Sequence, residues 1–161
     1  MPNTASIHEF LREAHVAYTV LPHRPAFTAQ EEAAAAYVQG RDWAKVVICF
    51  VDGEPIQAVL PALSTVNLNH LMELAGGREI RLAQEDELRR LFPECEPGAM
   101  PPFGPLYGQS VFVDVALAAQ PEIAFNAGTH TEAIRMRWAA FARTAPSIVG
   151  KFAEPPPYHV G

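Results

Sequence analysis

The segment that most constrains the fold is Trp43-Ala44-Lys45-Val46-Val47-Ile48-Cys49-Phe50-Val51, followed by Asp52-Gly53 and then by Pro55 to Leu60. Its β-branched and aromatic residues favour a strand. Strand alternation puts Lys45, Val47, Cys49 and Val51 on one face, and Val46, Ile48 and Phe50 on the other. Both faces are apolar, so this strand needs cover on both sides. Asp-Gly is a tight hairpin signal, because the favoured two-residue turn needs positive φ at both positions. A central antiparallel pair is therefore predicted, returning along Pro55 to Leu60.

Weaker signals fill in the rest. Ser6-Ile7-His8-Glu9 is a capping box that opens a helix to about Ala14. Ala17 to Leu21 alternates as a strand. Thr28-Ala29-Gln30-Glu31 opens an alanine-rich helix, which is predicted to stop at Gly40. Ser64 or Thr65 caps a helix to Ala75, ended by Gly76-Gly77. A short strand, Arg78 to Leu82, and a helix, Gln84 to Phe92, follow. Strands are predicted at Gln109 to Val115, Glu122 to Phe125 and Thr131 to Met136, with a turn at Asn126-Ala127-Gly128 and a last helix at Trp138 to Arg143. The order predicts an α/β protein of α+β type, a mixed, largely antiparallel sheet flanked by helices. With 161 residues, 49% of them hydrophobic and 19% charged, the chain fits one domain over residues 1–161. Prolines at Pro155 to Pro157 predict an extended tail from about residue 154.

Several function classes are disfavoured. No apolar run approaches the length of a membrane span. The N-terminal residues lack the basic start and apolar stretch of a signal peptide, so the cytoplasm is expected. Cys49 and Cys95 are too few for a disulfide framework. The six histidines show no i, i+4 pair, so a catalytic metal is not expected. Neither a Gly-x-Ser-x-Gly elbow nor a phosphate loop is present, and no cofactor is predicted. A net charge of −6 argues against gripping long duplexes, yet allows contact with a few phosphates at one end of an RNA.

Three features carry candidate chemistry. Lys45 is one of only two lysines and lies in the covered strand. It either lines a cleft or snorkels to solvent from the strand's start. The stretch Gly98-Ala99-Met100-Pro101-Pro102-Phe103-Gly104-Pro105 is stiff. It either presents backbone N–H groups to a ligand oxygen or simply connects a helix to a strand. In Phe125-Asn126-Ala127-Gly128-Thr129-His130-Thr131-Glu132, His130 could orient a ligand or move a proton, or be structural. Asn126 fits a turn as well as a ligand.

In this order, the three features resemble the YbaK family, whose fold also occurs as the editing insertion of bacterial prolyl-tRNA synthetases. Members carry a strand lysine where Lys45 stands, then a Gly-x-x-x-Pro loop matched by Gly98 to Pro102. Many continue as Phe103-Gly104 does, and later show a stretch like Phe125 to Ile134. The likeness runs from about Ile7 to Phe152. It implies a trans-acting hydrolase of the ester between a wrong amino acid and the terminal adenosine of tRNA. By the resemblance Lys45, Gly98 and Pro102 are the expected catalytic residues. Ala99, Met100, Pro101, Phe103, Gly104, Asn126, Gly128 and His130 are the expected substrate-binding residues. The lysine would hold the tRNA end, the loop would bind the aminoacyl group, and water would attack with the substrate's ribose hydroxyl assisting. No metal or protein nucleophile is implied. The Gly128-Thr129 flank of His130 departs from the proline-linked members. Alanine, cysteine, serine and threonine are the candidate amino acids. The competing reading is a non-catalytic module that binds a nucleotide or a protein on the same fold. One structural expectation follows for the deacylase: Lys45 and Gly98 to Pro102 should line one cleft.

Overall fold

The computed structural model describes residues 6–155. The first residues and most of the expected proline-rich tail lie outside that range. Helix α1 (Ile7–Glu13) begins at Ser6, whose hydroxyl accepts the Glu9 N–H while the Glu9 carboxylate accepts the Ser6 N–H. This reciprocal cap is the one the sequence predicts. Strand β1 (Thr19–Pro22) leads to α2 (Ala29–Ala35), capped by Thr28. That helix ends before Gly40. Tyr37 takes a φ of 59° and turns the chain, and Gly40 opens a short 3₁₀ turn instead.

Strands β2 (Ala44–Val51) and β3 (Glu54–Pro61) form the predicted hairpin. Asp52 and Gly53 have φ of 51° and 85°, the two positive values the turn demands. Ser64 and Thr65 do not cap the next helix. Thr65 enters the short strand β4 (Thr65–Val66), and Asn67 caps α3 (Leu68–Ala75). Strand β5 (Ile80–Leu82) and helix α4 (Glu85–Leu91) come next. After a long irregular loop come β6 (Ser110–Asp114), a four-residue helix α5 (Val115–Ala118), β7 (Glu122–Thr129), β8 (Glu132–Arg137) and α6 (Trp138–Thr144). The short strands β9 (Ile148–Gly150) and β10 (Ala153–Glu154) complete the described chain. The expected turn at Asn126 to Gly128 is not there. Asn126 stays in the ladder opposite Ala133, the register shifts between Asn126 and Thr129, and the chain reverses at His130-Thr131.

The predicted class holds, with the sheet divided. A five-stranded sheet has the order β5-β2-β3-β6-β9. Its β5-β2 and β2-β3 pairs are antiparallel, and its β3-β6 and β6-β9 pairs are parallel. A three-stranded antiparallel sheet, β1-β8-β7, joins it through a bridge between Trp43 and Ala124. β4 and β10 form a third, two-stranded piece. Strand β2 is covered on both sides, as its sequence requires. On one face Ala44 and Val46 pack with Val59, Phe103, Phe125 and Phe141. On the other, Val47, Cys49 and Val51 pack with Leu60, Leu71 and Phe152. Among the described residues no helix is long and apolar enough to cross a membrane.

Candidate functional site

From Pro93 to Phe103 the chain has no helix or strand, so distant residues must fix its path. The bulged end of β7 does so. The N–H of Glu96 donates to the Gly128 carbonyl at 2.8 Å, and the Gly128 N–H donates to the Ala99 carbonyl at 2.9 Å. Gly128 has a φ of 103°, a conformation that disfavours a side chain. The Glu96 carboxylate then accepts the His130 N–H at 2.6 Å. These three hydrogen bonds sew the loop to the β7–β8 hairpin.

Beyond Gly98 the loop turns inward. Ala99, Met100, Pro101, Pro102, Phe103 and Gly104 are all buried. Met100 packs with Ile48 and Phe92. Phe103 meets Phe10, Phe125 and Phe141 with ring centroids 5.6, 5.4 and 5.2 Å away. A Cβ on Gly104 would lie 2.0 Å from the Gln109 carbonyl oxygen, so only glycine fits. The side chains of Met100 and Phe103 are therefore committed to the core. The loop can offer a ligand its backbone, and Gly98 is the exposed part of it. Gly98 has a φ of 87°, and a Cβ there would lie 3.6 Å from Cε1 of His130.

His130 is 7% exposed and sits in a buried polar cluster. Its Nδ1 lies 2.5 Å from Oε2 of Glu32 on α2, and its Nε2 lies 2.9 Å from the Pro97 carbonyl oxygen. Asn126 donates from Nδ2 to the other Glu32 oxygen at 3.0 Å. Glu32 is 2% exposed. Both ring nitrogens face acceptors, and only the doubly protonated imidazolium can donate to both. Burial works to lower the His130 pKa. The hydrogen bond to Glu32, the one to Pro97 and the charges of Glu32 and Glu96 outweigh it, so the net shift is upward. Phe27, 71% exposed, covers the ring from outside at 5.0 Å.

Sequence reasoning missed Glu32. It lies four residues after the helix cap Thr28 and is the only charged residue on a face otherwise made of Ala33 and Ala36. A carboxylate on a stripe of small apolar residues needs a buried partner, and that was the available signal.

Lys45 stands apart. Alternation sends it from β2 on the face opposite Val46 and Ile48, which carry the contact with Met100 and Phe103. Its half-buried ammonium donates to the Ser64 carbonyl, and burial lowers its pKa. Among the described residues no hydrogen bond joins it to the Gly98–Pro102 loop. A hollow of about 100 Å³ at the loop is bounded by Pro101, Cys95, Tyr107 and Gly128. A larger groove of about 540 Å³ lies at the far end of β2, beside Asp52 and Arg78. The structure ties Gly98 to Pro102, Asn126, Gly128 and His130 together, and Lys45 is held instead by the Ser64 carbonyl. Cys49 and Cys95 are free thiols, and burial pushes the Cys49 pKa up to about 11.

Comparison with known proteins adds the family. The family described as the aminoacyl-tRNA editing domain matches residues 23–144. No curated protein matches the sequence. Among solved structures, "hypothetical protein APE2540" superimposes with a TM-score of 0.82 at 22% identity, over 92% of this chain and 99% of that one. A "putative trans-editing enzyme for prolyl tRNA synthetase" gives 0.77 at 21% identity, over 92% and 94%. At these identities the likenesses establish a common fold.

Proposed function

We propose, from the premise that this chain belongs to the aminoacyl-tRNA editing domain family, that it is a trans-acting deacylase. Its reaction is hydrolysis of the ester joining a wrong amino acid to the terminal ribose of tRNA. The observation that carries the reading is the family match over the segment that holds both the Gly98–Pro102 loop and the hairpin locked onto it. A synthetase pocket rejects a slightly different side chain by only about 1–3 kcal/mol per methylene, so a second, hydrolytic pocket supplies the missing discrimination.

The chemistry asks little of the protein. An aminoacyl ester is already activated. Holding it in place and stabilising the developing oxyanion suffice for attack by water. Gly98 is suited to that task. It is exposed, its peptide is fixed by the hairpin, and no acceptor among the described residues takes its N–H. His130 is less suited to moving a proton, because both of its nitrogens are occupied by protein acceptors.

Lys45 belongs to a separate part of the proposal, as an anchor for the phosphate-bearing end of the substrate. Its ammonium has three donors, of which the Ser64 carbonyl takes one. Alanine, cysteine, serine and threonine remain the candidate amino acids.

The test is a panel of mischarged tRNAs, with the parent compared to Lys45→Ala and to Gly98→Ala. The proposal expects one ester or a few to be cleaved well above the spontaneous rate, with both variants impaired. No acceleration on any of the four esters overturns it in favour of a non-catalytic module. Full activity in Lys45→Ala removes the lysine from the site.

A further inference from the structure

Glu32 has no role in the reading above, yet it is the deepest charged group in the polar cluster. It is 2% exposed, and both its oxygens are used, one by His130 and one by Asn126. From His130 the chain of contacts continues through Nε2 to the Pro97 carbonyl, the residue immediately before Gly98. The His130 backbone N–H is held in turn by Glu96, on the other side of Pro97. Helix α2, the hairpin and the loop therefore meet at one imidazole. We propose that Glu32 is a positioning residue for deacylation, holding His130 in the form that fixes the Pro97 carbonyl and so the placement of Gly98. The functional half of this statement rests on the deacylase reading; the structural half does not.

A neutral imidazole has one donor nitrogen and one acceptor nitrogen. Facing a carboxylate on one side and a carbonyl on the other, the neutral ring would set one lone pair against another. Two buried acceptors in contact are costly where the surroundings cannot relax. Glu32 resolves this by favouring the imidazolium. The groups around the ring are Glu32 from α2, Glu96 and Pro97 from the loop, Asn126 from β7 acting on Glu32, and the apolar Phe27. No cation faces it in this set, so burial alone opposes the protonated form, and the surrounding acceptors and carboxylates outweigh it. When the proton leaves at higher pH, one of the two contacts must open. If the Pro97 contact opens, the loop loses one of its ties.

Two substitutions separate positioning from simple stability. In Glu32→Gln the amide N–H₂ can donate to Nδ1 and its oxygen can accept from Asn126. A neutral His130 can then keep Nε2–H on Pro97. Glu32→Ala offers neither. The full chain is used throughout. Hydrogen exchange of the Gly128 amide, which donates to Ala99, reports the loop; ¹⁵N resonances of the His130 ring report its protonation; and kcat and KM are read on a mischarged tRNA across pH. In Glu32→Ala the Gly128 amide is expected to lose protection. There kcat is expected to fall by about 100-fold, the scale of a misplaced reacting group, with KM changed far less. In the parent, kcat is expected to decline at high pH in step with the loss of the His130 proton. In Glu32→Gln that decline is expected to be absent, with protection restored.

Parent-like protection and parent-like kcat in a folded Glu32→Ala overturn the proposal. So does a Glu32→Gln whose pH profile and His130 titration match the parent. If the parent cleaves no mischarged tRNA, the deacylase reading fails and the word deacylation goes with it. The exchange and ¹⁵N measurements still decide whether Glu32 holds the loop.

Discussion

Oδ1 of Asp114 accepts two successive backbone N–H groups, those of Phe152 and Ala153, each at 2.8 Å. Its Oδ2 caps α5 by accepting the Ala116 N–H at 2.9 Å. One side chain, 2% exposed, therefore starts a helix and pins the last described segment against the five-stranded sheet. Asp114→Ala leaves buried donors unpaired and is expected to lower the unfolding free energy by about 3 kcal/mol. Urea denaturation checks this. The expected change is in the midpoint, with the slope kept.

Removing one partner of the Glu32–His130 pair leaves the other buried and uncompensated. Glu32→Ala is expected to cost about 3–5 kcal/mol, the usual range for breaking a buried pair. Thermal unfolding measures it. Glu32→Gln, which can keep two hydrogen bonds, should lie well inside that cost.

The upward shift of the His130 pKa fixes the sign of a pH effect. The ordinary value is 6.5. Below it, folded and unfolded chains both hold the proton, and the pair contributes in full. As pH rises past it the unfolded chain releases the proton first, and the contribution shrinks until the folded form releases it too. The parent should therefore lose stability relative to His130→Gln as pH rises from 6.5 through the raised value. Paired urea titrations at successive pH values test this, and a gain over that range would contradict it.

Phe103 lies at the centre of the aromatic cluster and is fully buried. Phe103→Ala is expected to cost about 3–5 kcal/mol. Gly104→Ala should destabilise as well, despite adding only a methyl group, because its Cβ would collide with the Gln109 carbonyl. Circular dichroism melting of both variants is the measurement.

On the proposal that this protein of net charge −6 grips a tRNA only at its acceptor end, binding is expected to show a shallow salt dependence. With one or two phosphates of the single-stranded end held, the logarithm of affinity should fall with the logarithm of salt at a slope of about −0.7 to −1.4. Titration of tRNA binding across salt concentrations checks it. A much steeper slope would mean contact along the whole tRNA.

The elements that could be read from the sequence were those with local causes. Ser6 and Glu9 cap one another three residues apart, and Asp52-Gly53 makes its own turn. The double-faced apolar run of β2 announced its central place. Misreadings arose where a distant partner decided. Thr65 pairs with Glu154, which removes it from the helix cap. Asn126 spends its side chain on Glu32, and its backbone stays in the ladder opposite Ala133. The same holds for the site. Gly98, Gly128 and His130 stood out as unusual residues, but the carboxylate that holds His130 lies in an alanine helix whose only signal is its cap. Lys45 stood out as a buried charge, and it leaves β2 on the face opposite Val46 and Ile48, which pack with the loop. Alternation already implied that face; where the loop would pack did not follow from it.

Glu32 and His130 are separated by 98 positions, and Pro97 and His130 by 33. The consequence concerns when the loop acquires its shape. During synthesis α2 leaves the ribosome long before the β7–β8 hairpin, and domains form as their segments become available. Contacts between such distant positions cannot close until both ends have been made, and they carry a loop-closure cost. Until His130 arrives, Glu32 has no counter-ion and the segment from Pro93 to Phe103 has nothing to be sewn to. A truncated or half-made chain therefore carries the residues of the loop without its geometry.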